Sequence, residues 1–344
     1  MEQRPASAGA ELYRSIGVTP VINGTGSVTL LGGSTPSATV KAAMDAADDS
    51  YVPMGELQLG AGRAIAQLIG APMTMVTSGC AGGMMLASAA ALAGDDPSKI
   101  IQLPDTSGLP NELLIPSNQR YHYDRCWEMA GAKLVQYEPT EEALEAAITH
   151  RTAGCVARPA HLYEGSLPIS VIAQIAHSRG LPLLVDAADQ TYPLDRMTAY
   201  IDEGADVQCM AAKYIGAPQS TGLAIGTTTF LAKMFAQNFI GFETPHEQGG
   251  FGTGIGEHRA GLEPTDDTWF VRSVGRPSKI DRQEIVGAWA AVKEWVSIDH
   301  LKRVADFHRR STLIADGLRE IPGVLSVRVE DKTEVRPRRV GKIV

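Results

Sequence analysis

The strongest constraint in this chain is the stretch LPLLVDAADQTYP, where the apolar run 181–185 ends on Asp186. An apolar run without polar alternation needs cover on both faces. It reads as a buried parallel strand that delivers its last residue to the C-terminal edge of a sheet. Further on, 206–210 is a second such run, followed by Ala211, Ala212 and Lys213. Around these two the pattern alternates. Strands are predicted at 73–77, 100–103, 133–137, 155–157, 207–210 and 222–226. Helices are predicted at 10–16, 37–48, 60–69, 81–93, 123–130, 140–149, 169–178, 197–203 and 229–237, with 109–115 a loop or short helix. This alternation means βαβ units: an α/β fold with a mainly parallel sheet sandwiched by helices. Ligands of such sheets sit outside the carboxyl ends of the strands.

Composition removes several function classes. The net charge of −8 over 344 residues argues against a nucleic-acid binder. The four cysteines, Cys80, Cys126, Cys155 and Cys209, show no metal-pair spacing and fit a reducing compartment. The start of the chain is polar, and the small-residue run 81–93 is too short to span a bilayer. The expectation is a soluble cytoplasmic protein with no membrane partner.

Chemistry gathers at the predicted strand ends. Asp186 and Lys213 fall there, and so do Ser78, Gly79 and Cys80, in a strand, Ser-Gly, helix arrangement. The first turn of a helix offers free N–H groups and a favourable dipole to a phosphate. The plain alternative is a strand-to-helix turn with Ser78 as its cap. An acid and an amine on nearby strand tips suit pyridoxal 5'-phosphate, which needs an amine for a Schiff base and an acid against its ring nitrogen. Equally, acids commonly cap βα turns, and a strand-end lysine commonly faces solvent. The Gly/Ser/Thr-rich stretch VINGTGSVTLLGGSTPS resembles a phosphate loop but lacks the Walker lysine and the GxGxxG spacing. The histidines have no metal-ligand spacing, and no metal is expected.

Seven stretches, in order, resemble the SelA-like group of fold-type-I pyridoxal-phosphate enzymes: VINGTGSVTLLGGS, ELQLGAGRAIAQLIGA, VTSGCAGG, YDRCWEMAGAKLV, EGSLPISVIAQIAHSRGLPLLVDAADQ, KYIGAPQSTGLAIG and GRPSKIDRQEIVGAWAAV. That group includes selenium transferase and an amino-sugar-acid ammonia-lyase. The resemblance implies Lys213 as the Schiff-base lysine and Asp186 as the acid on the ring nitrogen. It implies Ser78, Gly79 and Cys80 as the phosphate turn, Gln219 and Ser220 near a phosphate, and Ala188 and Gln190 at the ring. Gln119, Arg120 and His122, in NQRYHY, are candidates for ring or substrate contact, as is Arg276; Arg158 and Glu164 remain open. Ala211 and Ala212 stand where many relatives place a Ser or Thr on the phosphate.

The implied architecture is a 1–50 segment packing on the small domain, a 51–260 large α/β domain that binds the cofactor, and a 261–344 small C-terminal α+β domain. The last of these looks short of strands for this family, and a tRNA-binding module has no room. A long helix is predicted at 282–318, with a kink near 297–300, then a strand at 324–329. The implied function is a lyase carrying out α,β-elimination on a small amino acid or amino sugar acid, with or without a phosphate, in a homodimer or higher homo-oligomer. A transferase (selenium-transferase- or aminotransferase-like) or racemase on the same scaffold, or a non-catalytic homologue, are the alternatives.

Overall fold

The computed structural model describes residues 7–238, 273–330 and 342–343. A second Gly-rich segment of the sequence, 241–268, lies outside them. Among the described residues seven strands form one sheet, in the order β1-β7-β6-β5-β4-β2-β3. They are β1 (Met73–Ser78), β2 (Glu112–Pro116), β3 (Lys133–Tyr137), β4 (Thr152–Ala157), β5 (Leu183–Asp186), β6 (Val207–Ala211) and β7 (Thr221–Gly226). Neighbours from β3 to β6 are parallel, and β7 runs antiparallel to both β6 and β1. The last residues of β1, β5 and β6 therefore share one edge with the first residue of β7.

The helices are α1 (Ala8–Ser15), α2 (Ala38–Asp48), α3 (Met54–Ile69), α4 (Gly79–Ala93), α5 (Pro97–Gln102), α6 (Glu141–Ala147), α7 (Ile169–Ser178), α8 (Ala199–Asp202), α9 (Thr228–Gln237), α10 (Arg282–Ser297) and α11 (His300–Arg319). Strand periodicity sorts them into two layers. Leu183 and Val185 point into one core, with side chains from α2, α3, α7 and α10. Leu184 points into the other, with α4 and α9. All three are fully buried, and each contributes about 1.5–3 kcal/mol of transfer free energy. Helix α4 is apolar around nearly its whole circumference, because it lies in the core rather than on the surface.

The structure differs from the predicted elements in four places. Residues 100–103 are not a strand. They belong to α5 and the turn after it, because Asp96 accepts from the N–H groups of Ser98 and Lys99 and Pro97 occupies the first turn. The strand is instead Glu112–Pro116, overlapping the loop or short helix predicted at 109–115, and it is buried along its whole length between β3 and β4. Its helical or extended state is undecidable from a short apolar run and is set by its neighbours. The predicted kink is a break: α10 stops at Ser297, and Asp299 caps α11 by accepting from Lys302 N–H. Of the predicted strand 324–329, the pairing described is Val329–Glu330 with Lys342–Ile343.

Candidate active site

At the shared strand edge lies a cavity of about 680 Å³. Asp186, the last residue of β5, and Lys213, two residues past the end of β6, both line it. The strands are adjacent, with Asp186 opposite Cys209. Gly79, Cys80 and Ala81, from the first turn of α4, line it too. Gly79 has φ of +68°, a left-handed conformation that favours glycine. Across from this turn, a Cβ on Gly222 of β7 would lie 2.3 Å from the carbonyl carbon of Gly79. Close approach of strand and turn thus depends on glycine at 222.

Asp186 is 3% exposed and fully engaged. Its Oδ1 accepts from Ala188 N–H at 3.0 Å and faces the Cys80 thiol at 3.5 Å. Its Oδ2 accepts from the Tyr121 hydroxyl. The guanidinium of Arg158 lies 3.6 Å from Oδ2 and 4.2 Å from the centre of the Tyr121 ring. Arg158 Nε makes no hydrogen bond, so this pair is coulombic. Burial first, and the Asp186 carboxylate second, push the Tyr121 hydroxyl well above its ordinary value. It therefore stays protonated and donates. The same two causes raise the Cys80 thiol.

Lys213 Nζ donates to Thr29 Oγ1 at 2.7 Å and stands 5.2 Å over the Tyr214 ring. Thr29 belongs to the Gly-rich stretch of the sequence, which folds over the cavity and adds Val28 and Leu30 to its lining. Gln219 also lines it, and its Oε1 is buried without a partner.

The other predicted site residues are placed as follows. Ala188 and His122 line the cavity. Ser78 ends β1 and takes the cap position of α4, but its side chain makes no capping bond and it is not in the lining. The Cys80 thiol turns toward Asp186 and the Cys209 carbonyl, which leaves backbone N–H groups as what this turn offers an anion. Gln190 is completely buried behind the site. It donates to Asp189 and accepts from Arg196 and Tyr200, while Asp189 takes the place in the lining. Ser220 is exposed and donates to Glu284. Gln119 is buried and accepts from Arg158 N–H at 2.6 Å, so it holds the strand end that carries Arg158. Arg120 pairs with Asp124, and Arg276 lies exposed; neither lines the cavity. Sequence reasoning missed Thr29, Tyr121, Asp189 and Cys126. For Tyr121 the signal is its place within NQRYHY, beside Gln119, Arg120 and His122.

The residues present fit pyridoxal phosphate. A buried carboxylate can face the ring nitrogen, a lysine stands at the cavity wall, and a helix start with free N–H groups can take the phosphate. The volume lies in the range of small-molecule sites.

The fold is that of the fold-type-I pyridoxal-phosphate-dependent enzymes, and the chain is similar in sequence to proteins of known activity. Residues 128–194 match the DegT/DnrJ/EryC1/StrS aminotransferase family. The chain is 29% identical over 238 residues to the D-glucosaminate-6-phosphate ammonia lyase of Salmonella typhimurium, covering 66% of this chain and 63% of that protein. It thus spans a little under two thirds of that relative's length. It is 26% identical over 332 residues to a 5'-C-glycyluridine monooxygenase-decarboxylase of a Streptomyces species, covering 93% of this chain and 74% of that one. In fold it superposes on a solved D-glucosaminate-6-phosphate ammonia-lyase with a TM-score of 0.76 at 24% identity, over 96% of this chain and 81% of the other. The Escherichia coli cysteine desulfurase gives 0.51 at 18% identity, over 86% and 73%. No described helix is long and apolar enough to cross a membrane.

Proposed function

We propose that this chain binds pyridoxal 5'-phosphate and is a lyase that carries out α,β-elimination, ammonia-lyase-like, on a small amino acid or amino sugar acid. One observation carries the reading: Asp186 and Lys213 stand at the tips of adjacent strands and line one cavity with the start of α4. The cofactor supplies an electron sink for the pair left at the substrate Cα. Asp186 keeps the ring nitrogen protonated, and Tyr121, Arg158 and the Ala188 N–H hold that carboxylate in place. The N–H groups of Gly79, Cys80 and Ala81 take the phosphate, in place of the hydroxyl that Ala211 and Ala212 lack. Lys213 Nζ, steadied by Thr29, takes the proton from Cα and returns one to the leaving hydroxyl on Cβ. Water then yields a 2-keto acid and ammonia.

A second reading rests on the Streptomyces relative, whose similarity covers 93% of this chain. On the same residues, loss of carboxylate from Cα replaces loss of the proton. We further propose that the enzyme works in the cytoplasm as a homo-oligomer. The free cysteines support the first point, and the exposed apolar side chains of Ile22, Leu30 and Tyr51 the second.

The test adds pyridoxal phosphate to the purified chain. The expected result is a visible absorption band that borohydride bleaches, with the reduced label on Lys213 by peptide mapping and no band for Lys213→Ala. Amino acids and amino sugar acids are then screened for release of ammonia and keto acid, against release of carbon dioxide. A colourless wild-type protein, or a label on another lysine, overturns the reading. Carbon dioxide without ammonia selects the second one.

A further inference from the structure

A second cavity, of about 320 Å³, lies beside the first. Its lining includes Thr25, Gly26 and Ser27 from the Gly-rich stretch, together with Tyr192, Trp295 and Arg303. Val28 and Tyr214 line both cavities. The loop that steadies Lys213 through Thr29 therefore also forms a wall of this space.

Arg303, in the first turn of α11, is held in an aromatic cage. Its guanidinium carbon lies 4.7 Å from the Trp295 ring centre, 5.1 Å from Tyr192 and 5.5 Å from Phe307. Cation–π contacts of this kind hold a guanidinium in place without neutralising it. The Nε group donates to His300 Nδ1 at 3.0 Å. His300 in turn donates from Nε2 to the Trp295 carbonyl at 2.9 Å. Burial lowers the imidazole from its ordinary value, so the ring is neutral and free to accept from Arg303. Among the described residues no carboxylate pairs with Arg303, and its Nη2 is buried with no acceptor at all. Asp299 is engaged as the cap of α11.

A buried guanidinium N–H without an acceptor is costly, and such groups are nearly always partnered in native proteins. Here three aromatic rings and a histidine fix the cation in one orientation at the wall of a cavity. An oxyanion would supply the acceptor that is missing among the described residues. Val28 and Tyr214 line both this cavity and the lysine cavity, so the two spaces adjoin.

We propose that the Arg303 cavity is an anion subsite that takes the carboxylate or phosphate at the far end of the substrate. This rests on the proposed function for the reacting end, but the recognition chemistry is separate from it. Arg303 donates from its terminal nitrogens, while the Thr25–Ser27 loop supplies further polar groups. The subsite selects substrates with a second acidic group over neutral amino acids.

The test titrates inorganic phosphate into the full chain by calorimetry, for wild type, Arg303→Met and Arg303→Lys. The cofactor is first fixed by borohydride, so that the start of α4 is already occupied. Methionine keeps the aliphatic packing in the cage; lysine keeps the charge. Phosphate is expected to bind wild type, to bind Arg303→Met about 10- to 100-fold more weakly, and to be partly restored by Arg303→Lys. In turnover, Arg303→Met is expected to raise KM for acidic substrates with little change in kcat, and to leave neutral ones unaffected. Free phosphate is expected to compete with acidic substrates. Equal phosphate affinity in wild type and Arg303→Met, or phosphate binding that does not compete, overturns the proposal. Cofactor loading is read by its absorption beforehand, so failure of the cofactor reading is seen separately. In that event the same titration on the cofactor-free wild type and Arg303→Met still decides whether Arg303 binds an anion.

Discussion

Replacing Gly222 by alanine tests whether the start of α4 seats the cofactor phosphate. The new Cβ would lie 2.3 Å from the Gly79 carbonyl carbon, 2.5 Å from its oxygen and 2.6 Å from the Cys80 nitrogen. Ordinary contact begins near 3.4 Å, so strand and turn must separate by about 1 Å. Neither side yields easily. Gly222 is paired on both flanks, with Thr77 of β1 and Ala211 of β6, and the atoms it meets are backbone. Overpacking of this kind costs about 2–3 kcal/mol, which lowers Tm by roughly 3–4 °C in a chain of this length. The displaced N–H groups belong to Gly79 and Cys80. Losing one charge-assisted hydrogen bond to a phosphate weakens binding by about 10- to 100-fold. The control is Gly226→Ala, at the other end of the same strand, where a Cβ would meet the Asp206 carbonyl oxygen and the Leu231 side chain at 2.4 Å. It should destabilise similarly and bind the cofactor normally. The assays are urea unfolding and titration of the visible band with pyridoxal phosphate. If Gly222→Ala binds cofactor as tightly as Gly226→Ala does, the start of α4 is not the phosphate site.

Other predictions follow from the same contacts. Burial raises the Tyr121, Tyr137 and Tyr200 hydroxyls and the Cys80 and Cys209 thiols, and pushes Cys155 to about 12. These groups stay protonated in the folded chain and ionise on unfolding, so their stabilisation is complete below about pH 8, under the ordinary thiol value, and is lost as pH rises further. A urea midpoint that does not fall between pH 8 and 11 would contradict the burial. Removing the Gln119 side chain (Gln119→Ala) orphans the buried Arg158 N–H at a cost of about 1–3 kcal/mol. It should weaken cofactor binding as well as stability, and a change in the urea midpoint alone would show that Gln119 does not position Arg158. Thr29→Val removes the acceptor of Lys213 Nζ. It should shift the pH at which the cofactor band changes, with little change in Tm; an unchanged pH profile would show that Thr29 does not steady the amine.

The predicted strands that proved right are those whose apolar runs are bounded by turn residues, such as Leu183–Asp186 and Val207–Ala211. The stretch at Glu112–Pro116 was illegible because periodicity cannot separate a short buried strand from a helix. Ile100 and Ile101 look like a strand until Asp96 and Pro97 are read as a helix start.

The amino-acid sequence alone determined the layered α/β class and the positions of Asp186 and Lys213, because burial on both faces and the end of an apolar run are local properties. It did not determine what surrounds them. Tyr121, Thr29 and Arg158 reach the cavity from three separate loops, and Gln190 turns away from it although it stands four residues past Asp186. Which loop folds over the strand edge, and which way each side chain then points, depends on packing between segments far apart in the chain. Tertiary structure decided that, and with it the caged arginine beside the site.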